Sequence, residues 1–193
     1  MKPKAVFLDR DGTINEEMGY INHPSRYKIY DFVPEAIRIL NECGFLVFVV
    51  TNQSGVARGY FDEKLVSIIH NRLTEHVHQG GGKIDRIYYC PHHPTEGIGK
   101  YRIDCTCRKP RPGMIDRAVE EFGIDLYKSY MIGDRYKDII FGRNLGLKTI
   151  LVLTGYGLGE YTYQREQWPE YPDYISDNLL GASREIQIRE MKS

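Results

Sequence analysis

The sequence has no apolar run long enough to cross a bilayer. Its first, Ala5–Leu8, falls far short of the ~20 residues that a spanning helix needs. It is also too short for the core of a signal peptide, so a cytoplasmic location without a membrane partner is expected. Tryptophan occurs once and cysteine four times in 193 residues, and so few thiols do not make a disulfide scaffold. Neither sign of charge predominates: Lys plus Arg and Asp plus Glu number 26 each. That balance offers no basic track to a polynucleotide and no field toward an anionic membrane. Repeats, low-complexity tracts, long linkers and readable heptads are missing too, which leads to the expectation of a monomer. What is left, 41% hydrophobic and 27% charged, suits one domain over residues 1–193 with a sizeable core. Any anion such a chain binds must be held by a local constellation.

Short apolar runs alternate with longer amphipathic segments, the pattern of a parallel sheet covered on both faces. The predicted strands are Ala5–Leu8, Leu46–Thr51, Ile84–Tyr89, Tyr130–Gly133 and Thr149–Val152. Leu46–Val50 is apolar without alternation, as a strand buried on both sides must be. The predicted helices are Pro34–Cys43, Asp62–Gln79, Gly113–Phe122, Lys137–Leu145 and Leu179–Arg189, with glycines closing the first three. The fold expected is α/β, a doubly wound parallel sheet of Rossmann-like type. Residues 88–112 fit neither period and read as a loop that needs its own staple. The tyrosine-rich segment 155–174, with the lone Trp168, suggests no chemistry.

In open parallel sheets ligands sit beyond the carboxyl ends of the strands, where this chain places its acids. The first strand runs into Asp9-Arg10-Asp11-Gly12-Thr13. One carboxylate there can attack phosphorus and a second can move the leaving-group and water protons. Two acids facing a phosphate require a hard cation, Mg2+. The second strand ends in Thr51-Asn52-Gln53-Ser54, whose hydroxyl and successive N–H groups suit phosphoryl oxygens. The fourth ends in Gly133-Asp134-Arg135-Tyr136-Lys137-Asp138, and Arg108-Lys109 supplies two cations before a helix. Each alone also fits a plain turn or a solvated lysine.

Cys90-Pro91-His92-His93 and Cys105-Thr106-Cys107 pair a C-x-H with a C-x-C across the loop. Three thiolates and one imidazole make a closed tetrahedral set for structural Zn2+, with ligands Cys90, His92, Cys105 and Cys107. His93 is the competing imidazole. Only about 40 residues separate Asp11 from Thr51, too few for a large cap domain. The zinc loop therefore shapes the rim instead.

DxDGT, a strand-ending Thr, a Lys and GDxxxD, in that order, resemble the haloacid dehalogenase superfamily of phosphohydrolases. The resemblance implies Asp9 as nucleophile, Asp11 as general acid and base, and Thr51 and Lys109 as stabilisers of the transferring phosphoryl group. Mg2+ would be held by Asp9, the Asp11 carbonyl and Asp134, with Asp138 farther out. FLDRDGTIN, TNQSGVARGYF, YYCPHHP and CxCRKPxPGM narrow the resemblance to the D,D-heptose 1,7-bisphosphate 7-phosphatases. That family acts on a phosphorylated sugar in nucleotide-activated heptose synthesis. It implies substrate contacts from Glu17, Met18, Gly19, Tyr20, Thr51, Asn52, Gln53, Ser54, Arg108, Lys109 and Arg135, where the family often has lysine at the last position. Arg108 also suits a second phosphate by its fork-shaped guanidinium. The anomer stays open. The alternatives are a histidinol-phosphate phosphatase, a nucleic-acid 3′-phosphatase and an inactive zinc-stapled binding module.

Overall fold

Six strands pair in parallel in the order β3-β2-β1-β4-β5-β6. The computed structural model describes residues 2–192. The strands are β1 (Ala5–Leu8), β2 (Leu46–Asn52), β3 (Arg86–Cys90), β4 (Tyr130–Gly133), β5 (Lys148–Val152) and β6 (Tyr174–Ser176). The helices are α1 (Val33–Glu42), α2 (Glu63–Gln79), α3 (Gly113–Phe122), α4 (Tyr136–Asn144), α5 (Gly157–Gln164) and α6 (Leu179–Glu190).

The alternation of buried strand residues divides the core in two. Val6, Leu8, Val47, Val49, Ile132 and Ile150 face Ile37 and Leu40 of α1, Leu73 of α2 and Ile186 of α6. Phe7, Phe48, Val50 and Met131 face Met114 and Ala118 of α3 and Phe141 of α4. Strands buried on both faces explain the unbroken apolar run in β2. Each buried large side chain here contributes roughly 1.5–3 kcal/mol.

Helix ends follow local chemistry. The Asp62 carboxylate accepts from the Leu65 N–H and starts α2, which therefore begins one residue later than predicted. Gly123, at φ 68°, ends α3 in the left-handed region. β3 starts at Arg86, two residues beyond the predicted Ile84, because the Asp85 carboxylate takes the Val47 N–H that a strand carbonyl would otherwise accept. Two elements escaped prediction: β6, of three residues, and α5. The order of the sheet reverses between β1 and β4, so the crevice at their carboxyl ends is the switch point at which ligands bind. Between β1 and β2 lie only loops, a short 3-10 turn and α1. Among the described residues no helix is long and apolar enough to cross a membrane.

Candidate active site

Asp9 leaves β1 and Asp134 leaves β4, on adjacent strands flanking the switch point. Asp138 projects from the first turn of α4 and is fully buried. One carboxylate oxygen from each of the three lies within 4.8 Å of the others. Lys109 is inserted among them: Nζ donates to Asp9 Oδ1 at 2.6 Å and to Asp138 Oδ1 at 2.8 Å. One ammonium does not balance three buried carboxylates. Burial, and then the neighbouring Asp9 charge, push the Asp134 carboxyl well above its ordinary range. Burial also raises Asp9, against the pull of Lys109. Asp134 Oδ1 and Asp138 Oδ2 are buried without a hydrogen-bond partner. Hard oxygen donors, missing positive charge and orphaned oxygens together fit a divalent cation.

Two glycines make room for this cluster. A Cβ on Gly12 (φ 86°) would lie 2.2 Å from Asp134 Oδ2, and so would one on Gly155 (φ 54°). The Tyr156 N–H donates to that same oxygen at 2.9 Å, and Thr154 Oγ1 donates to the Gly12 carbonyl at 2.6 Å. The loop leading into α5 therefore holds both the Asp134 carboxylate and the turn after β1.

The Asp11 side chain stands apart from the three-carboxylate cluster. The fully buried Arg10 clamps it, with Nη2 2.8 Å from both carboxylate oxygens. Asn15 Nδ2 and Gln53 Nε2 donate to it as well, at 3.0 and 2.9 Å. Burial raises its carboxyl, but the Arg10 charge and these donors outweigh that and leave it below the ordinary range. Gln53 also donates to Thr51 Oγ1 at 3.0 Å, so the hydroxyl proton of Thr51 stays free for another acceptor. Lys109 itself is held by Asn52, whose carboxamide exchanges hydrogen bonds with the Lys109 carbonyl and N–H at 3.1 and 3.0 Å.

A pocket of about 290 Å³ opens here, with Asp9, Asp11, Glu17, Gly19, Tyr20, Thr51, Asn52, Gln53, Ser54, Lys109 and Arg135 among its lining. Two of the expected contacts are not part of this lining. Met18 packs against the hydrophobic core, because its apolar chain finds burial there. Arg108 donates from Nη1 to the His92 carbonyl at 3.3 Å and is outside the pocket wall. Lys137, Tyr156 and Phe61, none of them foreseen, line it instead. Position alone, three residues beyond Asp134 in the first turn of α4, could have flagged Lys137.

The loop 88–112 brings Cys90, His92, Cys105 and Cys107 together, one ligand atom of each within 4.8 Å of the rest. Cys90 Sγ lies 3.4 Å from Cys105 Sγ, and Cys107 Sγ lies 3.2 Å from Cys105 Sγ and 3.6 Å from His92 Nδ1. These are non-bonded separations of the size that edges of a tetrahedron around one small ion require, given bonds of about 2.0–2.3 Å. His93 faces the other way: its Nδ1 accepts from the Glu96 N–H and its Nε2 lies 3.5 Å from Arg58 Nη2.

Comparison with known proteins adds an independent line. Residues 106–182 match the HAD-hydrolase-like family model. The chain is 45% identical over 153 residues to the D-glycero-beta-D-manno-heptose-1,7-bisphosphate 7-phosphatase of Pasteurella multocida, covering 79% of this chain and 83% of that protein. It is 43% identical over 185 residues to the Haemophilus influenzae protein of the same name, covering 94% and 95%. A crystal structure of D,D-heptose 1,7-bisphosphate phosphatase from B. bronchiseptica, complexed with magnesium and phosphate, superposes with a TM-score of 0.84. It is 29% identical and covers 96% of this chain and 99% of that one.

Proposed function

The chain belongs to the family of D-glycero-beta-D-manno-heptose-1,7-bisphosphate 7-phosphatases, and we propose that it hydrolyses the 7-phosphate of that β-anomeric sugar through a phospho-aspartate on Asp9. The observation that carries the reading is the buried Asp9–Lys109–Asp138 ion triad at the switch point, completed by Asp134. In the first half-reaction an Asp9 carboxylate oxygen attacks phosphorus and the bond from phosphorus to the sugar O7 breaks. Asp11 gives O7 its proton. In the second half water attacks the same phosphorus, Asp11 takes the water proton, and Asp9 and inorganic phosphate are released. Arg10 keeps free Asp11 as the carboxylate, the form the second half needs. The incoming phosphate dianion supplies a like charge beside it, which favours the protonated form for the first half.

Lys109 neutralises charge on the transferring group, and Thr51 donates its free hydroxyl proton to a phosphoryl oxygen. Asp9, Asp134 and the Asp11 carbonyl, with Asp138 alongside, would hold Mg2+, which supplies Lewis-acid neutralisation of the phosphoryl oxygens. Zn2+ on Cys90, His92, Cys105 and Cys107 would be structural, since the protein fills all four positions. Glu17, Gly19, Tyr20, Asn52, Gln53 and Ser54, which line the same pocket, would contact the sugar.

The test is phosphate release with Mg2+ from the β and α heptose 1,7-bisphosphates and from histidinol phosphate. The β anomer is expected to give the highest kcat/KM. A higher value for histidinol phosphate overturns the substrate reading.

A further inference from the structure

Helix α5 packs Tyr161 against the Ile139–Leu151–Trp168 cluster, but its two buried residues are Gly157 and the acid Glu160. Glu160, 8% exposed, spends both carboxylate oxygens on the segment after β4. Oε1 accepts from Arg135 Nε at 2.9 Å and Oε2 from the Tyr136 N–H at 2.6 Å. The ring of Tyr156, which leads into α5, lies 4.4 Å from Arg135 Cζ. A guanidinium pinned through Nε and covered on one face retains its two Nη groups as a fork, the geometry that takes a phosphate bidentately. Among the described residues neither Nη has a hydrogen-bond partner. Arg135 lines the pocket that holds Asp9 and Lys109, and Lys137 lines it too. Arg108, the cation expected for a second phosphate, spends one Nη1 donor on the His92 carbonyl and is absent from the lining of this pocket.

We propose that Glu160 is a positioning residue for substrate selectivity: with Tyr156 it aims the Arg135 fork at the phosphate that is not hydrolysed. The inference rests on the reading of the substrate as a sugar bisphosphate. A bare ammonium at position 135 has no Nε to give Glu160 while keeping a fork for the ligand, so the acid and the arginine form one device. Removing either member leaves the other without its function.

The experiment is the ratio of kcat/KM for the heptose 1,7-bisphosphate to that for p-nitrophenyl phosphate, which has one phosphate only. It is measured in the wild type, Glu160→Gln, Arg135→Lys and the double variant. Each single substitution is expected to lower the ratio about tenfold, chiefly through KM for the bisphosphate. In the Arg135→Lys background Glu160→Gln should lower it little further. A merely structural role for Glu160 reduces both substrates in proportion and leaves the ratio unchanged, which overturns the proposal. So does an additive double variant. Arg135→Lys decides the matter alone should Glu160→Gln not fold, since an unchanged ratio there removes the fork. A wild type with no preference for the bisphosphate sinks the substrate reading itself, whereas a preference that Glu160→Gln retains sinks only this inference.

Discussion

Asn52 and Lys109 are joined by a reciprocal pair of hydrogen bonds, side-chain amide to backbone, across 57 residues of sequence. They fix the main chain from which Lys109 Nζ reaches Asp9. Asn52→Leu removes both bonds without changing any charge. Two bonds of about 0.5–1.5 kcal/mol each predict a fall in kcat of roughly 10- to 100-fold. Steady-state kinetics check this, with Lys109→Met as the limiting case.

Gly12→Ala is expected to abolish turnover, because the new Cβ would stand 2.2 Å from Asp134 Oδ2. Gly123→Ala is the comparison. It also has positive φ, 68°, but meets nothing within 4 Å. It should cost about 1 kcal/mol of stability and leave kcat unchanged. Activity assays and urea titrations of the two variants separate crowding from backbone strain.

Metal analysis of the purified protein is expected to find one zinc per chain, and Cys107→Ser to lose it. Loss of the staple at a cost of about 3 kcal/mol lowers Tm by roughly 6–12 °C. The Cys43→Ser variant should keep both zinc and Tm, since Cys43 lies outside the cluster.

His70 predicts an acid limb of stability. Burial first, and then the Arg10 charge, hold its pKa down at about 3, from 6.5. Its Nε2 lies 3.4 Å from Arg10 Nη1 and accepts from it, so the ring is neutral. The unfolded chain therefore binds the proton first as pH falls below 6.5. Stability from this group is complete above that pH and declines by about 1.4 kcal/mol per unit on the way down to the folded pKa. Urea midpoints at pH 7.5 and 5.5 should diverge less in His70→Gln than in the wild type.

Much of this architecture was legible from residues with strong local signals. Leu46–Val50 could only be a strand buried on both faces, and Gly123 ended α3 where expected. Asp9 and Asp134 were placed by the rule that strands point their carboxyl ends at ligands. What stayed hidden depended on contacts distant in sequence. Glu160 and Tyr156 lie in a glycine- and tyrosine-rich stretch with no helical period, and their roles come from Arg135 and Asp134, more than 20 residues earlier. Arg10 carried no role in the sequence reading, yet it is fully buried and clamps Asp11. Asp138 was expected at the outside of the Mg2+ set, and its bond to Lys109 at 2.8 Å, made from the first turn of α4, was not legible in the sequence.

The most direct test is chemical trapping of the intermediate. An acyl-phosphate is reduced by borohydride to an alcohol, so quenching turnover with borohydride should convert Asp9 to homoserine, read by peptide mass spectrometry. The account predicts homoserine at position 9 only, dependent on substrate and Mg2+. Homoserine at position 11 or 134, or full turnover in Asp9→Asn, would contradict it.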